Sequence, residues 1–389
     1  MNYRYLFLFL ALSFQNVWTQ NLSSQAQISV VTIGPGASLN DAFGHNVFRI
    51  LDRANDLDVG YDYGRFPFDE PGFYLNFAQG KLNYSIGKSK YNDIKDFYIW
   101  QNRTIKEQVL NLSSEEKQAI FDYLKNNYKP ENREYLYDFF YNNCATKIRD
   151  VLQVVTNKEI IFPEPDNFQP QTFRSLIREK VPTNLWGSVG IDLALGSVID
   201  QQATAQEHMF LPDYIHVFFS EATLGSKKLV SSEKIIYQEK PTEASLDILW
   251  SPFVVFTIIG LLIIGITYSD FKKQKRSKIL DTILLISTML IGIMVLLLWF
   301  ATDHQTTAQN YNLLWAFPLN GILAWQIAKR QPKAWVIPFL KFLVIILALM
   351  SFHWTIGVQV FAPALIPLLL ALLMRYLFLI NYFNRKLNV

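Results

Sequence analysis

From about residue 248 onward the chain is a succession of apolar runs separated by short loops, and few folds tolerate that pattern. Five runs can be marked, at about 249–268, 279–300, 311–328, 335–353 and 357–380. Each approaches the roughly 20 residues a helix needs to cross the hydrocarbon core of a bilayer. The loops alternate in charge. The first carries Lys272, Lys273, Lys275, Arg276 and Lys278, the third Lys329, Arg330 and Lys333, and the tail Arg385 and Lys386. The second, ATDHQTTAQN, and the fourth, FHWTIGVQ, hold no lysine or arginine. Basic loops stay on the cytoplasmic side. The pattern therefore predicts a cytoplasmic C-terminus and an exported segment over residues 20–247. Lys341 and Arg375 fall inside apolar runs and are expected to snorkel to the cytoplasmic face.

The N-terminus supports this orientation independently. MNYRYLFLFLALSFQNVWTQ has one arginine and then about ten apolar residues. That is short for a membrane span and suits a secretory signal. Val17 and Thr19 fit the sites before a cleavage at Gln20. The expected organisation is a signal peptide over 1–19, an exported domain over 20–247 and a transmembrane domain of five helices over 248–389.

Charge separates the two halves. Residues 248–389 hold 12 Lys and Arg against 3 Asp, and the whole chain is +3, so residues 1–247 carry about −6. An acidic domain without a basic stripe is a poor match for a phosphate backbone, so no nucleic-acid partner is expected.

Within the exported half, QISVVTIGPG reads as a strand ending in a Gly-Pro-Gly turn. AFGHNVFRILD and LDVGYDYGRF read as the next two strands and RTIKEQVLNL as another. Residues 61–100 hold twelve aromatics, a density that suits either ordinary core or the wall of an apolar groove. SSEEKQAIFDYLKNNYKPENREY reads as a helix, with Ser113 and Glu116 as a capping box. A second helix is expected to start at Cys144. Ile148, Val151, Leu152 and Val155 repeat at helical spacing, and Asn143 is a good N-cap. Beyond residue 165, TFRSLIREKVP and LPDYIHVFFSEATLG look helical, GIDLALGSVIDQQA has a Gly-Ser turn and two acids (Asp192 and Asp200), and SSEKIIYQEKPTEASLD reads as a last strand and linker.

Cys144 is the only cysteine. In the first turn of a helix a cysteine meets unpaired N–H groups and the positive end of the dipole, which favour thiolate over thiol. An idle thiol in an oxidising compartment is a liability, so a retained one suggests a nucleophile. A nucleophile needs a proton-transfer partner. Of the five histidines, His45 stands out in AFGHNVFRI, on a strand after Gly44. Gly44 would leave room for a substrate. Asp62, on the neighbouring strand, is the candidate to orient His45. A lone cysteine and one strand histidine are also compatible with plain core positions. No zinc-ligand spacing or phosphate-binding glycine loop is present, and no cofactor or metal is expected.

GPGASLNDAFGHNVFRI, followed about a hundred residues later by YLYDFFYNNCATKIRDVL, resembles the Lnb family of Gram-negative envelope proteins. The resemblance extends through NFAQGKLNYSIG, IDLALGSVID and MFLPDYI to NYNLLWAFPLN. It implies an α+β periplasmic domain of permuted papain-like fold, an antiparallel sheet plus helices, followed by an all-α five-helix transmembrane domain. A strand histidine ahead of a helix-starting cysteine is also similar to NlpC-type peptidases and lecithin:retinol acyltransferase. The implied activity is apolipoprotein N-acyltransfer in the inner membrane, from a phospholipid acyl donor to a diacylated lipoprotein acceptor. Cys144 would be the nucleophile, His45 the base and Asp62 the residue that orients it. Asn143, Asn142 and Gly44 would contact substrate, Asn143 with N-capping as its other role. A membrane-tethered thiol amidase or peptidase, and a non-catalytic accessory protein, remain the alternatives at this stage.

Overall fold

The structure, a computed structural model, describes residues 21–66, 71–156, 160–166, 168–241 and 248–387. The expected signal peptide and its cleavage site lie outside the described residues.

The N-terminal domain is built on a seven-stranded antiparallel sheet. In chain order its strands are β1 (Gln27–Ile33), β2 (His45–Asp52), β3 (Leu57–Arg65), β4 (Asn83–Lys90), β5 (Ile105–Leu110), β6 (Glu134–Leu136) and β10 (Val230–Tyr237). They lie side by side in the order β10-β5-β1-β2-β3-β4-β6. Three two-residue strands, β7 (Ile160–Ile161), β8 (Thr223–Leu224) and β9 (Lys227–Lys228), form a small second sheet. The helices before the apolar half are α1 (Phe73–Gln79), α2 (Tyr91–Trp100), α3 (Ser114–Asn127), α4 (Cys144–Val155), α5 (Phe173–Lys180), α6 (Trp186–Ala194), α7 (Ala205–His208) and α8 (Pro212–Glu221).

Period-two alternation sends Phe48 and Ile50 of β2 and Tyr61 and Tyr63 of β3 to one face of the sheet. There they join Ile120, Phe121 and Leu124 of α3, Ile148, Val151 and Leu152 of α4, and Phe218 and Phe219 of α8 in the main core. The other face packs Val31, Ile33, Val47 and Ile105 against Tyr91, Ile94 and Tyr98 of α2. The expected capping box opens α3, with Ser113 and Glu116 bonding reciprocally. The last strand is an edge strand of the main sheet, paired with β5.

Among the described residues, the apolar half has four helices long and apolar enough to cross a membrane: α9 (Pro252–Lys273), α10 (Lys278–Phe300), α12 (Val336–Thr355) and α13 (Ile366–Leu387), the last led in by a 3-10 turn over Pro363–Leu365. The run expected as the third span folds differently. It forms a 3-10 turn over Tyr311–Leu314, an irregular stretch and the nine-residue α11 (Asn320–Ala328). Pro318 explains the break, because it donates no N–H and disfavours helix at the residue before it. The segment nonetheless runs antiparallel along α10. A Cβ on Gly292 would meet the Ala316 carbonyl, Asn320 donates to the Thr288 hydroxyl at 2.8 Å, and the Ile327 carbonyl accepts from Arg276.

Arg375 does not snorkel. It is fully buried, with Nε donating to Asp281 at 2.7 Å and Nη1 to Asp270 at 2.8 Å. Asp281 also accepts from Arg276 at 2.7 Å. Were Arg375 to turn outward, Asp270 would lose its arginine, and an unpaired carboxylate in an apolar layer is costly.

Residues 174–200 join the two halves. GIDLALGSVIDQQA holds the end of α6 and a 3-10 turn over Ser197–Asp200, and its two acids are not exposed turn residues. Arg174 is buried and bonds Asp192 at 2.7 Å and Asp200 at 2.8 Å, while Arg178 reaches the second Asp192 oxygen at 2.7 Å. The same segment is fastened to the loops of the helical half. Asn312 donates to the Asp192 carbonyl at 2.9 Å, Asn310 to the Leu193 carbonyl at 2.8 Å, and Arg178 to the Phe361 carbonyl at 3.2 Å. Removing one member of a buried ion group leaves the others uncompensated, at about 3–5 kcal/mol. Asp192→Ala is therefore expected to lower the melting temperature of the detergent-solubilised protein clearly, with the helical circular dichroism unchanged at low temperature; an unchanged melting curve would refute this role.

Candidate active site

Cys144 is the first residue of α4, and Asn143 fixes it there. The Asn143 Oδ1 accepts from the Ala145 and Thr146 N–H groups, both at 2.9 Å. Its Nδ2 donates to the carbonyls of Phe139 at 2.8 Å and Phe210 at 2.7 Å. The Thr146 hydroxyl closes the box by accepting from the Asn143 N–H at 2.8 Å. With its amide fully engaged and buried, Asn143 is a cap and cannot donate to a substrate oxyanion. Asn142 is likewise a turn residue, with Nδ2 on the Leu136 carbonyl at 2.6 Å and its backbone bonded both ways to Asp138. The Cys144 N–H, at the helix start, is one of the donors that no preceding helical carbonyl can serve.

Gly44 is also structural. Its φ is +82°, and a Cβ there would lie 2.7 Å from the Ile33 carbonyl and 3.5 Å from Pro212. The missing side chain makes room for the protein's own backbone, not for substrate. The glycine that lies against the cysteine is Gly64, near the end of β3. It has φ +96° at an irregularity in the β3–β4 register. A Cβ at Gly64 would lie 3.8 Å from the Tyr137 ring and 3.9 Å from the Cys144 Cβ.

His45, Asp62 and Cys144 come together. His45 opens β2, and its Nε2–H donates to Asp62 Oδ2 at 3.3 Å. The imidazole has Asp62 as its hydrogen-bond partner, and Cys144 is close enough to act on it electrostatically. Burial alone pulls the His45 imidazole down, but Tyr98, Cys144 and Asp62 outweigh it and hold it well above the ordinary histidine value. Burial likewise pushes Asp62 up, and the bonds from His45 and Arg65 overcome it to hold the carboxyl at about 2. Arg65 grips Asp62 with contacts of 2.6, 3.0 and 3.1 Å, so the carboxylate is fixed more firmly by arginine than by histidine.

Three further groups surround the dyad that sequence reading passed over. The Tyr98 ring lies 6.4 Å from the His45 ring. Arg103, 3% exposed, stacks over Tyr98 at 4.8 Å, bonds the Gly34 carbonyl at 2.9 Å and has no hydrogen-bond partner for Nη2 among the described residues. Tyr137 packs its ring beside Gly64, close to Cys144. The twelve-aromatic segment around Tyr98 hinted at such a wall; nothing local marked Arg103 in RTIKEQ. Open clefts of about 300 and 330 Å³ lie elsewhere and are lined by His216 and Lys106, which sets His216 apart from this centre. His208 is buried beneath Phe168 and Tyr214.

A histidine raised in the folded state contributes stability that is fully present below its unfolded value, roughly 6.5, and is lost as pH rises through the raised folded value. Replacing it by glutamine removes that term. The melting-temperature difference between wild type and His45→Gln should therefore be largest below about pH 6.5 and shrink toward alkaline pH; a difference that grows with pH would contradict the charged imidazole.

Comparison with known families gives two matches. The Lnb N-terminal periplasmic domain matches residues 14–179, and the Lnb transmembrane domain matches residues 243–387. No curated protein and no solved structure matches the chain. The cysteine and histidine segments that carried the sequence resemblance fall inside the first match. A periplasmic domain seated on apolar helices makes this a membrane protein, and the chain belongs to the Lnb family.

Proposed function

We propose that this protein is an apolipoprotein N-acyltransferase of the inner membrane. The observation that carries the reading is the His45 imidazole held between Asp62 and the helix-starting thiol of Cys144. In the first step the sulfur of Cys144, its proton held on the His45 imidazole, attacks an ester carbonyl of a membrane phospholipid. The tetrahedral intermediate collapses to a Cys144 thioester, and the lysophospholipid alkoxide leaves with the proton from His45. In the second step the α-amine of a diacylglyceryl-cysteine attacks the thioester. His45 takes a proton from that nitrogen and keeps it as the sulfur departs, so an amide forms and the starting pair is restored. A thioester suits this exchange because it holds the acyl group in a form that yields to an amine. The Cys144 N–H is the candidate oxyanion donor, and Arg103, stacked over Tyr98, adds positive charge near the site. Asp62 keeps Nε2 protonated and orients the ring.

The order of a strand histidine before a helix cysteine, on an antiparallel sheet with helices, supports a permuted papain-like fold. The basic loops support a cytoplasmic C-terminus, and the antiparallel run of 311–328 beside α10 supports a fifth crossing by a broken helix. Seating the site on the bundle would place it at the outer leaflet, where both substrates are embedded and water is scarce. Water exclusion favours transfer over hydrolysis.

In cells that depend on this protein, mass spectrometry of lipoprotein N-termini should show N-acylated cysteine with the wild type and only free-amine diacylated cysteine with Cys144→Ala. His45→Ala should lower N-acylation by about 10²–10⁴-fold. Normal N-acylation with Cys144→Ala would end the proposal. Release of cell-wall peptide fragments with no change in lipoproteins would favour an amidase instead.

A further inference from the structure

Helix α1 has no buried residue, yet its sequence is FYLNFAQ. Tyr74 is 77% exposed, Leu75 62% and Phe77 50%. A seven-residue helix does not sustain itself in water, and an apolar surface of this kind marks a contact. The position of the helix identifies the contact. The Asp303 N–H donates to the Gln79 carbonyl at 2.8 Å, and the His304 ring donates to the Phe77 carbonyl at 2.9 Å. A Cβ on Gly80 would lie 2.8 Å from the His304 nitrogen, so the two backbones touch. Only two residues separate Asp303 and His304 from Phe300, the last residue of the membrane-length α10, where Trp299 and Phe300 stack. Helix α1 is therefore held at the level where α10 leaves the apolar layer, the depth at which aromatic side chains settle in a bilayer.

A row of rings leads from α1 to the thiol. Phe77 lies 6.3 Å from Phe73, and Phe73 stacks on Phe66 at 5.9 Å. Phe66 meets Tyr84 at 5.0 Å, and Tyr84 meets Tyr137 at 4.4 Å. Tyr137 borders Gly64, which lies against Cys144. Ring surfaces suit a methylene chain, which asks for apolar contact and no hydrogen bonds.

We propose that α1 lies in the outer leaflet and that Phe77, Phe73, Phe66, Tyr84 and Tyr137 form the wall along which the acyl chain of the donor phospholipid reaches Cys144. The inference rests on the acyltransferase reading above. The row ends at sulfur, so its occupant is the chain whose ester carbonyl must meet sulfur. The acceptor brings an amine to that point and carries its own acyl chains elsewhere.

The test uses the full-length protein carrying Cys144→Ala, so that no lipid is consumed. It is placed in phosphatidylethanolamine–phosphatidylglycerol vesicles whose acyl chains carry a diazirine, and the labelled peptides are mapped after irradiation. Label is expected on the peptides holding Phe66, Phe73–Phe77, Tyr84 and Tyr137, besides the lipid-facing surfaces of the long helices. Label confined to those helices would overturn the proposal. So would label on the row from a diazirine-bearing diacylated lipopeptide but not from phospholipid. Adding Tyr74→Asp and Phe77→Asp changes only exposed side chains; labelling at Tyr84 and Tyr137 should fall at least tenfold with the melting temperature held, and unchanged labelling would count against the path. N-acylation of a diacylated lipopeptide by wild type is read separately. Transfer without label on the row refutes the path alone, whereas label without transfer upholds acyl-chain binding and refutes the acyltransferase reading.

Discussion

The site depends on a helix start. The amide of Asn143 satisfies two donors of α4 and two carbonyls from separate segments, at Phe139 and Phe210. That set of bonds fixes where α4 begins and so where the sulfur sits. It also ties the cysteine turn to the Phe140–Phe173–Phe210 cluster, which leads into α5 and its Arg174. Arg174 in turn holds Asp192 and Asp200, and the backbone of that segment bonds the loops of the helical half. One continuous run of packed and hydrogen-bonded contacts thus connects Cys144 to the membrane domain. A thiol that must meet a lipid ester needs such a connection, because a small displacement of reacting atoms is costly.

Much of this was legible in the sequence where the signal is local. The first strands, the α3 capping box, the Asn143 cap and the apolar face of α4 follow from neighbouring residues and a fixed period. His45, Asp62 and Cys144 were also legible as residue types in informative settings, although only the fold brings β2, β3 and α4 together. What escaped depends on long-range partners. Arg375 reads as a snorkelling residue until Asp270 and Asp281, about a hundred residues earlier, are placed beside it. Asp192 reads only as one of two acids in a segment with a Gly-Ser turn until Arg174 and Arg178 are packed against it. The run at 311–328 has the composition of a span, and its proline and asparagines decide its shape only once Thr288 and Leu193 are near enough to accept from Asn320 and Asn310.

Glycine shows the same division. Gly44, next to the histidine, drew attention because of its neighbour, yet its φ and the Ile33 carbonyl explain it fully. Gly64 is the one that lies against Cys144, and in the sequence it is only another glycine in GYDYG. An unusual backbone angle in a strand is visible in structure and silent in composition.

The central claim is that Cys144 carries an acyl group taken from a phospholipid. Intact-protein mass spectrometry of the purified full-length protein, incubated with phosphatidylethanolamine vesicles and no amine acceptor, tests it most directly. The account predicts a mass increase of one acyl chain that maps to Cys144, is released by hydroxylamine and is absent from Cys144→Ala. An unmodified wild-type mass, or the same adduct on Cys144→Ala, would contradict it.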